Sequence, residues 1–380
     1  MDGCYPLHAR TEQAPADDGL TPAFKAEVAD FLARALTADL RDAGRRTTGL
    51  KSCREACSVW QERLRMKGWI APDWPAAFGG AGWTPEQRLY FEAECAANDA
   101  PVIMSSGIRS VGPMLIQAGT PEQQHYYLPR ILSGEHEWCQ GFSEAQAGSD
   151  LPALALKARL EGDQFVLDGH KLWTSSAGCS THMYLLARCE PGSTGREGIV
   201  LLLVRMDRPG IRVRPIDLID GSQEVSQVFF DGVRTPASER IGEIGEGWKA
   251  ARQMMAISRS NNTTTGTLRR AWRMARTLSQ AAGGAGHGET LAGLERDIEA
   301  FEALELRLAG DNHGLASSAA ASMLKLKATE LHQAITEAAL QIAPHDPLAQ
   351  AKYLFTRSAS IYSGTSEVHR NGLGRAFGLS

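Results

Sequence analysis

The chain has 380 residues, 43% of them apolar and 22% charged, with a formal net charge of −4. That length exceeds what one compact core accommodates and points to two or three domains. So mild an acidic balance lacks the electrostatic footprint of a nucleic-acid or anionic-membrane partner. No apolar run approaches the roughly 18 residues that cross a bilayer.

Residues 1–20 lack the basic-then-apolar layout of a secretory signal and read as a flexible leader. Seven cysteines (Cys4, Cys53, Cys57, Cys95, Cys139, Cys179 and Cys189) form an odd, scattered set. Such a set fits reduced thiols and a cytosolic setting rather than disulfides or a metal centre. Thr21-Pro22 opens a helix with a capping hydroxyl and proline in the first turn, and Phe24, Val28, Phe31, Leu32 and Leu36 follow at helical spacing. A further helix carries Val59, Trp60, Leu64 and Met66 and stops at Gly68. After a turn-rich, aromatic stretch over 68–82, Thr84-Pro85-Glu86-Gln87 starts another helix. Thr120-Pro121-Glu122-Gln123 starts one more, with Thr120 and Gln123 placed for a capping box. The chain reads as helical to about residue 135.

Beyond that point the apolar period falls to two. Leu156, Ala158 and Leu160 alternate with Lys157, Arg159 and Glu161; Gly162-Asp163 reads as a turn, and Asp168-Gly169 as a second. Residues 183–186, 199–204, 211–214 and 225–230 continue the short strands, which suits a β-barrel or sandwich. Helices resume after Pro236, and the glycine-rich stretch 281–288 reads as a mobile connection between antiparallel helices. The expected domains are 21–135 helical, 136–240 β and 241–380 helical, behind the leader 1–20.

Two segments of the β part carry chemistry. Gly141-Phe142-Ser143-Glu144-Ala145-Gln146-Ala147-Gly148-Ser149-Asp150 offers glycines and small hydroxyls, which let a polar planar ligand approach the backbone closely. His170-Lys171-Leu172-Trp173-Thr174-Ser175-Ser176-Ala177-Gly178 sets an indole beside hydroxyl donors. Each alone reads more readily as a loop or a core tryptophan. Together they suit an isoalloxazine, with an aromatic face and partners for its heteroatoms.

In chain order, TPEQ, FSEAQAGSD, KLWTSSAG, the tract from Asp220-Gly221 through Val228 to Pro236, Gly245-Glu246-Gly247-Trp248 and GTSEVHRN resemble the acyl-CoA dehydrogenase family. The resemblance implies an α+β multidomain fold: an N-terminal helical domain, a middle β-barrel and a C-terminal four-helix bundle. It also implies FAD between barrel and bundle, with the adenine end reaching a neighbouring subunit. Carried over by position, Phe142, Ser143 and Ser149 line flavin and thioester, Trp173 packs on the ring system, and Thr174 and Ser175 supply hydroxyls beside it. Gly364, Thr365 and Glu367 match the turn that contacts phosphate and adenosine, and Arg259, with Ser149, matches the substrate cleft. No metal is implied. The implied partners are an acyl thioester of CoA or a carrier protein, an electron-accepting flavoprotein, and further subunits, identical or related.

One feature departs from the family. Its catalytic carboxylate stands at one of two positions, which here are Ser363 and Ser258. A serine hydroxyl titrates far above neutrality, and neither segment places an adjacent histidine to activate it; His369 reads as a surface or packing residue. The segments around Ser279–Gly284 and Gln341–Pro347 also lack the family's cross-subunit flavin pattern. The polar run Ser258–Gly266 is either a solvated face or a hydrogen-bonding wall of the site. Three readings follow: a dehydrogenase of acyl thioesters, a non-catalytic or half-site subunit of a heteromeric one, or a flavin monooxygenase on the same scaffold.

Overall fold

The computed structural model describes residues 18–103, 105–190, 192–259, 263–284, 286–309 and 318–379. The expected leader thus lies outside the described residues as far as residue 17. Among the described residues six α-helices come first: α1 (Pro22–Ala35), α2 (Ala38–Arg46), α3 (Arg54–Lys67), α4 (Pro85–Ala97), α5 (Gly112–Ala118) and α6 (Pro121–Ser133). Their starts follow the local chemistry. Thr21 accepts from the Phe24 amide, and Thr84 with Gln87 and Thr120 with Gln123 each form a complete capping box. Gly68 takes a left-handed conformation that ends α3. The Gln123 amide also donates to the Ser238 and Arg240 carbonyls at 2.9 Å each, tying α6 to the β domain.

Eight strands follow: β1 (Trp138–Gly141), β2 (Lys157–Glu161), β3 (Gln164–Ser175), β4 (His182–Arg188), β5 (Ile199–Arg205), β6 (Ile211–Pro215), β7 (Val225–Pro236) and β8 (Arg240–Ile241). Their order is β6-β7-β3-β2-β4-β5-β8, with β1 pairing parallel to β4. The central strands are buried on both faces, and the two-residue period decides which core each side chain joins. Tyr184, Leu186, Leu201 and Leu203 pack with the N-terminal helices, whereas Met183, Leu185, Leu202 and Val204 fill the core on the other face.

The expected turn at Asp168-Gly169 does not form. β3 runs through it and pairs with β7 on both sides, with a bulge between Leu167 and Gly169. Gly169 has φ +138°, and a side chain there would meet Leu156 at 2.9 Å. The glycine serves a bulge in a long strand, and long-range pairing overrides the local turn signature.

The C-terminal helices are α7 (Gly247–Arg259), α8 (Thr265–Ala281), α9 (Gly288–Ala309), α10 (Ser318–Ile342), α11 (Pro347–Thr356) and α12 (Ser366–Ala376). A separate core of Leu268, Trp272, Ile298, Phe301 and Ile335 unites α8, α9 and α10. The Trp272 indole donates to the Leu291 carbonyl at 2.9 Å across the glycine-rich connection. Among the described residues no helix is long and apolar enough to cross a membrane.

Candidate active site

The two segments singled out in the β part lie side by side. The Leu172 amide donates to the Ser143 carbonyl at 2.9 Å, and Lys171 Nζ donates to the Phe142 carbonyl at 3.1 Å. Beneath them, Lys171 Nζ and Glu144 Oε1 form an ion pair of 2.6 Å with side chains 0% and 3% exposed. The Glu144 carboxylate also accepts from the amides of Ala155 and Leu156 and from Gln146. Burial works to raise the Glu144 carboxyl; the Lys171 charge and these donors outweigh it and hold the group below the usual range. Glu144 is therefore a clamp that fixes the loop against β3.

The clamp presents an unusual stretch of strand. A second bulge lies between Lys171 and Thr174, and Trp173 within it has φ +61°. A bulky residue in the left-handed region is strained, and such strain concentrates at functional sites. The Trp173 side chain is 55% exposed, which excludes a core tryptophan. Its neighbour Thr174 is fully buried, and the Thr174 hydroxyl has no hydrogen-bond partner. Ser175 is partly buried, and Ser176 is again left-handed at φ +62°. Ser143 is partly buried and Ser149 exposed. Phe142 is 3% exposed, and its ring packs edge-on to Tyr184. Its carbonyl, taken by Lys171, is what it contributes locally.

The turn Tyr362-Ser363-Gly364-Thr365 is built from the other end of the chain. Ser363 is exposed with φ +56°, Gly364 follows at φ +91°, and Thr365 caps α12 by accepting from the Val368 amide. His369 is 1% exposed, so it is a packing residue and not a surface one. Its Nδ1 lies 3.0 Å from the Ser322 hydroxyl and its Nε2 3.0 Å from the Ser363 carbonyl oxygen. The histidine thus holds the turn's backbone. Lys325 donates to the Gly364 carbonyl at 2.9 Å, and burial pushes its ammonium down to about 8. Glu367 is exposed in the first turn of α12. Ser258 and Arg259 fall on α7, but their side chains lie outside the described residues, as do Ser260, Asn261 and Asn262.

A cavity of about 220 Å³ opens between the N-terminal helices and α8, α10 and α11. Trp60, Leu64, Trp69 and Phe91 give it an apolar floor, and Tyr362, just before the GTS turn, reaches its wall. Thr263 and Thr264 of the polar run line it, which favours a hydrogen-bonding wall at those positions. A π-helical turn over Gly107–Val111 brings in Ile108 and Arg109. Arg88 and Arg109 contact Glu92 Oε1 at 3.0 and 3.4 Å. Burial opposes ionisation of Glu92, and the Arg88 and Arg109 charges overcome it and hold the carboxyl low. None of Phe142, Ser143, Ser149, Trp173, Thr174, Ser175, Gly364, Thr365 or Glu367 is among the cavity-lining residues.

Sequence reasoning passed over Glu224. Its carboxylate accepts from the Leu50 amide at the cavity rim, while its carbonyl accepts from the Ser176 amide. Burial raises its carboxyl, and burial followed by the nearby Glu224 charge raises the Tyr362 phenol. Glu224 thereby bridges the strained β3 strand and the cavity wall, although it does not itself line the cavity. Among the described residues no cluster of three or more His, Cys, Asp or Glu could hold a metal ion, and the six described cysteines are free.

Residues 21–135, 139–233 and 245–378 match the models for the N-terminal, middle and C-terminal domains of acyl-CoA dehydrogenases. The acyl-CoA dehydrogenase IpdE1 of Mycobacterium tuberculosis is 35% identical over 331 residues, covering 82% of this chain and 85% of its own. The Tcur3481-Tcur3483 steroid ACAD superposes with a TM-score of 0.83 at 26% identity, covering 96% of this chain and 100% of that one. The ChsE4-ChsE5 complex from Mycobacterium tuberculosis superposes at 0.80 with 26% identity, covering 95% and 98%. The chain belongs to the acyl-CoA dehydrogenase family.

Proposed function

We propose that this chain is a flavin-binding subunit of an acyl-CoA dehydrogenase that acts on the α,β bond of an acyl thioester, and that the carboxylate removing the α-proton is supplied by a related partner chain. The observation that carries the reading is Trp173: a half-exposed indole, in strained left-handed backbone at a bulge, held over a buried ion pair. Strain of this kind, roughly 1–3 kcal/mol, persists where surrounding structure imposes it. An open aromatic face beside the unpartnered Thr174 hydroxyl fits an isoalloxazine. Ser143, Ser149, Trp173, Thr174 and Ser175 would hold the flavin, with Gly364, Thr365 and Glu367 toward its nucleotide half. FAD, when bound, supplies the hydride acceptor.

The chain's own residues bind and orient. The cavity behind Tyr362 takes the acyl group, Arg259 and Ser149 serve the cleft, and the Lys171–Glu144 clamp fixes the loop that carries Ser143. Proton abstraction is the step this chain does not supply. A general base contributes typically ~10²–10⁴-fold, and the hydroxyls at Ser363 and Ser258 titrate too high to act as one. The names of the Tcur3481-Tcur3483 protein and the ChsE4-ChsE5 complex each pair two different chains, which supports a heteromer here. The reading carries a cytosolic setting and an electron-accepting flavoprotein as further partner.

The test is flavin retention. The chain purified with excess FAD should hold it, alone or with a co-expressed related chain, and Trp173→Ala should release it with the fold intact by circular dichroism. Retention unaffected by Trp173→Ala would remove the platform. Bound flavin reduced by a nicotinamide cofactor and never by a thioester would favour monooxygenase chemistry instead.

A further inference from the structure

The cavity wall formed by the C-terminal helices carries two cations, Arg270 and Lys352, which feel the charge of Asp99 but form no ion pair with it among the described residues. Arg270 on α8 uses one terminal nitrogen for the carbonyls of Cys95 and Ala100, at 3.4 and 2.8 Å. Its Nε and other terminal nitrogen are buried with no hydrogen-bond partner. Lys352 on α11 lines the same cavity and makes no hydrogen bond or ion pair among the described residues. His332 on α10 lies beside Lys352; burial, followed by the Lys352 and Arg357 charges, pushes it down to about 4, so it is neutral. The carboxylates of this region are engaged elsewhere. Asp99 pairs with Arg45 and Arg273 at 3.3 Å each, Asp73 reaches Arg88 at 3.9 Å, and Glu92 holds Arg88 and Arg109. Unpaired buried donors on a cation are costly to leave unmade, and burial of Lys352 beside Arg270 depresses its ammonium to about 8. An apolar floor with two cations on one wall that keep donors to spare suits an apolar ligand that ends in an anion.

We propose that the cavity selects acyl groups bearing a carboxylate remote from the thioester, with its oxygens seated between Arg270 and Lys352. The inference rests on the reading that this cavity holds the acyl part of a thioester, and it adds the class of acyl group. The second Glu92 oxygen, also without a partner, disfavours a carboxylate on its own side and accepts a hydroxyl or water there. The ligand is therefore oriented with its anionic end toward α8 and α11. CoA phosphates are the other anion within reach of such a thioester, and the aromatic floor of Trp60, Trp69 and Phe91 fits an acyl body better than a nucleotide.

Titration calorimetry on the full-length protein with its flavin tests this with four probes: free α,ω-dicarboxylic acids, their mono-CoA thioesters, methyl-ended CoA thioesters of equal length, and CoA itself. Charge-assisted bonds of this kind predict that the carboxylate-ended thioester binds roughly ten- to a hundred-fold tighter than its methyl-ended counterpart. Arg270→Gln and, independently, Lys352→Met should each remove most of that preference, weakening the carboxylate-ended thioester far more than the methyl-ended one. Equal or tighter binding of the methyl-ended thioester overturns the proposal, as does CoA alone losing affinity in the two variants. Free dicarboxylate bound through Arg270 and Lys352, with no thioester bound at all, would uphold the anion site and overturn the thioester reading. Binding of none of the four overturns both.

Discussion

Replacing Lys171 by methionine removes the cation beneath the strained strand and leaves the Glu144 carboxylate buried. Glu144 would keep the amides of Ala155 and Leu156, at 2.7 and 3.0 Å, and the Gln146 amide at 2.8 Å, but lose its 2.6 Å partner. Breaking one side of a buried pair costs about 3–5 kcal/mol, and the three surviving donors place this case near 3. That is a large share of the roughly 5–15 kcal/mol that holds a domain folded. Urea unfolding followed by circular dichroism at neutral pH should show the loss as a shifted midpoint with unchanged slope.

The pH dependence identifies the cause. In the wild type Glu144 is held below its unfolded value, so its stabilisation is present above about pH 4.3 and is lost as pH falls through the folded value. In Lys171→Met the same carboxyl rises with burial, so protonation relieves it. The stability gap between the two proteins is therefore widest at neutral pH and narrows below about pH 5. The double variant Lys171→Met, Glu144→Gln, which removes both charges, should recover most of the loss. A gap under about 1 kcal/mol, or one constant with pH, would refute the assignment of this pair as the clamp.

Three further outcomes follow from the same geometry. Gly364→Ala forces a side chain into left-handed backbone and onto His369 Nε2 at 2.8 Å, so it should cost about 1–3 kcal/mol of stability in thermal or urea melts. Lys352→Met removes an unpartnered ammonium whose folded value is depressed from 10.5 to about 8, so wild-type stability should rise between those pH values as the unfolded chain's extra proton is lost. In the variant that rise should shrink, and near pH 7 its ligand-free form should melt higher by an amount worth about 2 kcal/mol. His369→Ala removes its hydrogen bonds with the Ser322 hydroxyl and the Ser363 carbonyl and should cost about 1–3 kcal/mol, with faster amide exchange over 363–368 by mass spectrometry.

Local chemistry made much of the fold legible. Capping boxes at Thr84 and Thr120 and the alternation at Leu156 and Ala158 depend on neighbours a few positions apart and stand where the residues placed them, whereas Leu160 at the end of β2 is exposed. Asp168-Gly169 shows the limit of such rules. A turn and a bulge share one local signature, and only the pairing of β3 with β7 separates them. The flavin-side segments were readable as motifs, but the exposure and left-handed backbone of Trp173 were not, because both depend on a register shift against a distant strand. The cavity was least legible. Arg88, Arg270 and Lys352 come from three helices far apart in sequence, and no spacing along the chain announces that their charges line one cavity. Glu144 was hidden differently: it sits inside a recognised motif, and its partner Lys171 opens another.

Anaerobic titration of the FAD-loaded chain with acyl-CoA thioesters, followed at the visible flavin bands, addresses the missing proton acceptor most directly. The account predicts no bleaching by the wild-type chain alone, and bleaching once a related carboxylate-bearing chain is added or Ser363→Glu is introduced. Prompt bleaching of the wild-type chain by itself would contradict it, because this chain would then already hold the base.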